Sequence, residues 1–131
     1  MGQENKDLLS SEDSYGRIEV SKDVIAIIAG LATEEVDGVV GITYQVKSGA
    51  YSLASKDNFS KGIDIKITDK GVSISINLMT DYKKGIYSVA KEVQKKVKEM
   101  IEKMTGKNVE RVDINVTGVK IEKKGEDKNE G

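Results

Sequence analysis

The sequence predicts a two-layer α+β domain, in which two helices cover one face of a mostly antiparallel sheet of about four strands. Two segments carry apolar residues at spacings of three and four, the period of an amphipathic helix. Four other segments alternate apolar and polar residues, which is typical of strands with one face in water. The predicted order is α-β-β-β-α-β, and residues 16–20 are consistent with a short leading strand or an extended lead-in.

The first predicted helix begins after Ser21, a good N-cap residue, and ends at the Asp37-Gly38 pair. Gly30 inside it costs about 1 kcal/mol relative to alanine, so we expect another element to approach it closely. The apolar residues of this helix form a wide face. They are Val24, Ile25, Ile27, Ile28, Leu31, Ala32 and Val36.

The three strands that follow are predicted from alternation. Val40, Ile42, Tyr44 and Val46 share one face of the first, which leaves Thr43 and Gln45 on the wet face. Residues 63–78 form a hairpin with its turn at Asp69-Lys70-Gly71. Residues 47–61 lie between these strands, and their length and composition predict a mobile or functional loop.

The second helix is the longest predicted element. Gly106 ends it, because glycine adopts the left-handed conformation at low steric cost. The final strand then carries Val112, Ile114 and Val116 on one face, and Gly118 marks a bulge. The apolar stripe of the helix is expected to face the sheet. Its members are Ile86, Ala90, Val93, Val97, Met100, Ile101 and Met104.

Composition sets the predicted boundaries. Residues 1–14 are predicted to form a flexible N-terminal arm, in which the Leu8-Leu9 pair is incidental. Residues 15–121 form a single α+β domain, and residues 122–131 form a disordered charged tail. No apolar run approaches the ~20 residues that span a bilayer, and no leader is visible at the N-terminus, so we expect a cytoplasmic protein.

Absent residue types restrict the chemistry. The 131 residues contain no histidine and no cysteine, which excludes histidine-dependent triads, thiol nucleophiles and thiolate zinc sites. Asp81 at a strand-to-helix junction is better explained as a helix cap than as a metal ligand or general base. We therefore expect no enzyme, catalytic residue, metal, cofactor or small-molecule substrate.

Charge is concentrated unevenly. Residues 1–37 carry three basic and nine acidic groups, whereas residues 83–107 carry eight lysines and three glutamates. A ridge of lysines on the second helix suits anionic lipid, RNA phosphate or an acidic partner. The alternative is a solvated face with Glu92–Lys96, Lys95–Glu99 and Glu99–Lys103 pairs. The candidate interaction surface consists of Lys91, Lys95, Lys96, Lys98 and Lys103.

Three stretches are similar to a known family. The first joins Gly16-Arg-Ile-Glu-Val-Ser to the helix end Val36-Asp37-Gly38-Val39, and the second is Tyr82 with Gly85-Ile86. The third is Met104-Thr105-Gly106-Lys107-Asn108-Val109 with Val112-Asp113-Ile114-Asn115-Val116-Thr117-Gly118-Val119. Together they resemble the alkaline shock protein family, the envelope stress response family of Gram-positive bacteria.

The resemblance implies a small cytosolic protein without catalytic activity, linked to cell-envelope homeostasis. Some members are held at the membrane by a separate anchor protein, and others are connected to fatty-acid synthesis. The motifs are glycine stops and junctions, so no site residue is implied. We expect a non-enzymatic interaction or scaffold protein that self-associates and is peripheral to the inner face of the membrane. The alternative is a nucleic-acid-binding module that uses the basic second helix, although no specific nucleic acid is expected.

Overall fold

The computed structural model describes residues 8–121. The predicted α+β class is confirmed, with three helices, a mixed sheet of five strands and a separate two-stranded sheet within these residues. The elements in chain order are β1 (Leu8–Asp13), β2 (Gly16–Ser21), α1 (Lys22–Glu34), β3 (Val39–Gln45), β4 (Tyr51–Leu53), α2 (Phe59–Gly62), β5 (Ile63–Thr68), β6 (Gly71–Asp81), α3 (Ile86–Thr105) and β7 (Val109–Lys120).

Strand β6 is the centre of the main sheet. Its first half pairs with β5 through the predicted hairpin, and its end pairs with β3; both pairings are antiparallel. Strand β7 runs parallel to β6 from Val72↔Val109 to Asp81↔Lys120, with a register shift next to Gly118, where a bulge was predicted. The prediction of about four strands missed β4, which pairs with β3.

The core lies between the sheet and the helices. Val72, Ile74, Ile76 and Leu78 alternate along β6 and are at most 1% exposed, because both long helices pack over this face. Helix α1 packs on β3 and β5, whereas α3 packs on β7. The prediction that two helices cover one face of the sheet is therefore confirmed.

Helix α1 turns only part of its wide apolar face toward the core. Its N-cap is confirmed, because the Val24 amide donates to Ser21 Oγ at 3.3 Å. Ile25, Ala32 and Val36 are buried as predicted. The inclusion of Val24, Ile27 and Leu31 in the core was wrong, since all three are more than 40% exposed. Small residues on the other side of the helix, including Ala29 and Gly30, are buried instead.

Helix α3 buries a narrower stripe than predicted. Val89, Val93, Val97 and Ile101 are buried at exact four-residue spacing. The prediction that Ile86 and Met104 belong to the core was wrong, since they are 41% and 61% exposed. These residues lie in the first and last turns. The helix is therefore buried mainly through its middle turns.

The end of α3 was predicted correctly. Gly106 has φ +72° and ψ +6°, and its amide donates to the Glu102 carbonyl, which is a left-handed C-cap. The assignment of Asp81 as a helix cap was wrong, because Gly85 occupies the N-cap position. Asp81 Oδ1 instead accepts from the Lys83 amide at 3.0 Å and stabilises the turn before the helix.

The segment predicted as a loop over residues 47–61 contains β4, a 3-10 turn over Lys56–Asn58 and the start of α2. Phe59 is 1% exposed and lies against Gly30 of α1, where an added Cβ would be 2.2 Å from the ring. The close approach expected at Gly30 is therefore confirmed. A buried aromatic residue fixes this segment to the core.

The prediction that every strand has one wet face fails on β3. Thr43 is only 3% exposed, although the alternation placed it in water. It contacts Thr117 of β7 through the two hydroxyl oxygens, which are 2.7 Å apart, and it pairs with Leu53 of β4. The extra strand β4 and this hydroxyl contact explain the burial.

The predicted N-terminal arm overlaps a hairpin. Strand β1 pairs with β2 from Leu8↔Ser21 to Asp13↔Gly16, so the leading strand is present and has a partner. Leu9 is 6% exposed and belongs to the core, so it is not incidental. The rest of the arm, residues 1–7, and the predicted tail, residues 122–131, lie outside the described residues.

Candidate interaction surfaces on the two long helices

The lysines of α3 fall into two groups, and the first has structural partners. Lys98 Nζ lies 2.9 Å from Glu102 Oε2 and 2.9 Å from the Val109 carbonyl oxygen. The same carboxylate oxygen accepts the Val109 amide at 2.9 Å. This Lys98–Glu102 pair therefore satisfies both backbone groups of Val109 at the start of β7. The Val109 amide and then Lys98 lower the pKa of Glu102 below its ordinary value.

Lys96 is the second lysine with a partner, and it ties α3 to the end of α1. Its Nζ lies 3.2 Å from Glu35 Oε1, beside the contact of Lys84 Nζ with Asp37 Oδ2 at 2.9 Å. The hydrogen bond and charge of Lys84 lower the pKa of Asp37, and those of Asp37 raise the pKa of Lys84. The predicted Glu92–Lys96, Lys95–Glu99 and Glu99–Lys103 pairs are absent among residues 8–121.

A cleft of about 260 Å³ lies between these two helix ends. Four of its five charged groups form the two ion pairs and Glu92 is the fifth, and Ser88 is its only hydroxyl-bearing residue. The two ion pairs hold the end of α1 against α3 and the segment before it. The lining residues are Glu35, Val36, Asp37, Lys84, Ser88, Val89, Glu92 and Lys96.

The second group of lysines faces solvent. Lys91, Lys95 and Lys103 are exposed and make no ion pair or hydrogen bond within residues 8–121. Lys91 and Lys95 are one turn apart, and Lys103 lies two turns further on, rotated by roughly 80° about the axis. Tyr87 precedes them and is 83% exposed. We call Tyr87, Lys91, Lys95 and Lys103 the basic surface.

Sequence reasoning missed a second surface, on α1. Val24, Ile27 and Leu31 recur at spacings of three and four, on the side away from the buried Ile25 and Ala29. We call these three exposed residues the apolar stripe. The available signal was that apolar residues surround more of α1 than one packed face requires. That pattern alone did not say which part would remain uncovered.

The face of the sheet opposite the helices is polar. A shallow groove of about 360 Å³ crosses β5, β6 and β7, and Arg111 Nη2 lies 3.0 Å from Asp113 Oδ1 within it. The groove also contains Asp64, Lys66, Ser73 and Ser75. Both signs of charge are present, so the groove has no net preference for an anion or a cation. Over residues 8–121, no three carboxylates converge in a metal-binding group.

Within the described chain, no helix combines the length and the apolar content needed to cross a membrane.

Comparisons with known proteins identify a family and several relatives. Residues 10–121 match the Asp23 family, which is described as having a cell envelope-related function. That family name denotes an alkaline shock protein and no residue of this chain. No solved structure matches the chain significantly.

Three relatives come from Streptococcus pyogenes and Bacillus subtilis. Protein Spy1614 of Streptococcus pyogenes is 35% identical over 108 residues, covering 81% of this chain and 89% of the relative. Protein YloU of Bacillus subtilis is 35% identical over 109 residues, covering 82% of this chain and 91% of the relative. A stress response regulator gls24 homolog of Streptococcus pyogenes is 26% identical over 127 residues, covering 93% of this chain and 68% of the relative. The chain belongs to the Asp23, or alkaline shock protein, family, whose described function is related to the cell envelope.

Proposed function

We propose that this chain is a non-enzymatic scaffold protein of the cell envelope stress response, and that it binds acidic partners through the basic surface of α3. The observation that carries the proposal is the division of the lysines. Lys96 and Lys98 have structural partners, whereas Lys91, Lys95 and Lys103 face solvent with none in the described chain. The fold does not use these three charges.

The chemistry of the basic surface suits a protein or lipid surface of negative charge. The ammonium groups of Lys91, Lys95 and Lys103 attract an anionic surface, and each contributes about 1 kcal/mol near acidic lipids. The exposed carboxylate of Glu99, one turn from Lys95 and from Lys103, opposes part of this attraction. The partners that we propose are a membrane anchor protein, other copies of the chain and the inner face of the cytoplasmic membrane. A role in membrane lipid or fatty-acid synthesis belongs to the same proposal.

The family membership supports the envelope part of the proposal. The matched description is cell envelope-related, and one group of relatives carries the name stress response regulator. A scaffold needs a rigid platform. Helix α3 provides one, because its inner face is anchored by four buried residues and its outer face projects freely.

The test replaces the three lysines at the native locus. The triple variant removes the three positive charges of the basic surface and keeps polar side chains of similar length. Its substitutions are Lys91→Gln, Lys95→Gln and Lys103→Gln. We expect the variant to lose membrane-fraction association and to sensitise cells to envelope stress. The matched control changes Lys47, Lys56 and Lys70 to Gln, since these residues are also exposed and lie outside α3. An equal loss in the control would contradict a localised surface.

A nucleic-acid-binding module remains the second candidate, favoured by the exposed Tyr87 next to Lys91. An aromatic ring beside a lysine resembles the stacking platforms of single-strand binding proteins. Phosphate contacts alone fail at about 0.5 M salt. If binding of a defined oligonucleotide survives that salt concentration, this candidate is favoured over the scaffold.

A further inference from the structure

The apolar stripe of α1 is only partly covered by the rest of the described chain. Val24, Ile27 and Leu31 are 45%, 43% and 41% exposed, although aliphatic side chains at helical spacing normally mark a packed face. Ile25, Ala29, Ala32 and Val36 already form the packed face on the opposite side. The helix therefore has two apolar faces, and only one is covered within the described chain.

Acidic side chains border the stripe. Asp23 lies one turn before Ile27 and Glu34 lies two turns after it, both within roughly 40° of the line through Ile27. Both carboxylates are exposed, and no ion pair of either occurs within residues 8–121. Glu35, near the line through Val24, adds a third carboxylate, which already contacts Lys96. The border is therefore negative at both ends of the stripe.

Strand β4 places a further exposed aliphatic side chain, Leu53, near Glu34 at the acidic end of the stripe. A Cβ built on Gly41 would lie 3.0 Å from Leu53 Cδ2 and 4.0 Å from Glu34 Oε2, so Leu53 and Glu34 are neighbours. Leu53 is 54% exposed. The uncovered surface thus combines four aliphatic side chains with acidic groups beside them.

We propose that this surface binds an amphipathic helix of a partner protein, with an apolar face edged by lysine or arginine. Apolar contact with the stripe would supply the affinity. Opposite charges at the border would fix the orientation and exclude acidic competitors. The partner differs from that of α3, because α1 presents apolar and acidic groups whereas α3 presents basic ones.

Other occupants fit less well. A second copy docking α1 against α1 would bring the two acidic borders together. Docking α1 on α3 would match the charges, but the one apolar residue between Lys91 and Lys95, Val93, is buried and cannot cover the stripe. An anionic membrane surface would repel Asp23 and Glu34. Charge complementarity and apolar content together favour a basic amphipathic helix of another protein.

The test uses the full chain and two designed peptides of about 18 residues, long enough to lie along α1 as a helix. Both carry the same leucine stripe, bordered by lysine in one peptide and by glutamate in the other. Fluorescence anisotropy gives the Kd values, and amide chemical shift changes locate the site. We expect the lysine peptide to bind at least about tenfold more tightly and to shift α1 resonances.

Two variants distinguish this site from nonspecific apolar binding. Ile27→Ser should weaken the lysine peptide at least about fivefold, as expected for an apolar anchor at the centre of an interface. Asp23→Lys combined with Glu34→Lys should reverse the preference, so that the glutamate peptide binds better. Tyr15→Ser is the matched control, since it removes an exposed side chain from the turn between β1 and β2, outside both surfaces, and should leave both Kd values unchanged.

Several results would overturn the proposal. They are equal affinity for the two peptides, shift changes confined to α3, or no binding at all. Self-association or sedimentation with phosphatidylglycerol vesicles would also overturn it, if Ile27→Ser abolished either one. None of these results affects the role proposed for Lys91, Lys95 and Lys103, which is measured on other variants.

Discussion

The two long helices cover the same face of one sheet but leave opposite chemistry in solvent. Helix α1 exposes Val24, Ile27 and Leu31, whereas α3 exposes Lys91 and Lys95. Helix α1 buries mostly small residues between Ile25 and Thr33, whereas α3 buries Val89, Val93, Val97 and Ile101 at four-residue spacing. Both inner faces pack into the core, and the difference between the outer faces is available for function.

The inner stripe of α3 should give the largest loss of stability. Ile101→Ala removes a fully buried side chain and should cost about 2–5 kcal/mol of unfolding free energy. Met104→Ala, one turn away in the last turn and 61% exposed, should cost less than about 1 kcal/mol. Urea denaturation measures both. Similar losses for the two variants would place the end of α3 in contact with the core.

The glycine that ends α3 tests how the helix is joined to β7. Gly106→Val places a β-branched residue at φ +72° and should cost about 1–2 kcal/mol or more. Because an added Cβ meets no atom within 4 Å, the loss should arise from backbone strain alone. Gly106→Asn should therefore cost less, since asparagine tolerates this conformation. Thermal or chemical denaturation measures both variants. If Gly106→Asn were less stable than Gly106→Val, backbone strain would not be the cause of the loss.

The Lys98–Glu102 pair makes the end of α3 sensitive to acid. The folded-state pKa of Glu102 is depressed, so its contribution is present above the unfolded pKa and is lost as pH falls through the folded pKa. Glu102→Gln keeps an acceptor for the Val109 amide but does not titrate. We expect wild type to be the more stable at about pH 7 and the difference to shrink at about pH 2. Urea denaturation at both pH values tests this, and a constant difference would be inconsistent with the pair.

The outer face of α3 should give the smallest effect. Lys95→Glu reverses an exposed charge that has no partner in the described chain, so stability should change by less than about 0.5 kcal/mol. Lys98→Glu is the informative contrast on the same helix, because it places a carboxylate near Glu102 and the Val109 carbonyl. If Lys95→Glu were the more damaging, the basic surface would be part of the folded interior.

The buried face could be predicted from the sequence for elements with apolar residues on one side. It could not be predicted for α1, which has apolar residues on two sides. The hairpin over β5 and β6, the Ser21 N-cap and the Gly106 stop follow from local spacing and turn chemistry. The partial exposure of α1 does not, because apolar residues on both sides of a helix give no preferred direction. The packing of Phe59 against Gly30 helps to decide which side is buried, and that contact is long-range.

The candidate site was predicted in part for a similar reason. Composition identified the lysine-rich helix, and all five candidate lysines lie on α3. Periodicity predicted ion pairs within the helix, whereas Lys96 binds the end of α1 and Lys98 binds the start of β7. Such partners come from other elements, so only the tertiary structure could separate the structural lysines from the exposed ones.

The central claim is that α1 stabilises the fold through its inner face and keeps its outer face for a partner. The most direct measurement compares the unfolding free energies of Ile25→Ser and Ile27→Ser, which differ in position by two residues on one helix. Ile25 is 0% exposed and Ile27 is 43% exposed. We predict a loss of at least about 3 kcal/mol for Ile25→Ser and about 1 kcal/mol or less for Ile27→Ser. Equal losses would contradict the claim, because they would show that the apolar stripe is already covered in the folded chain.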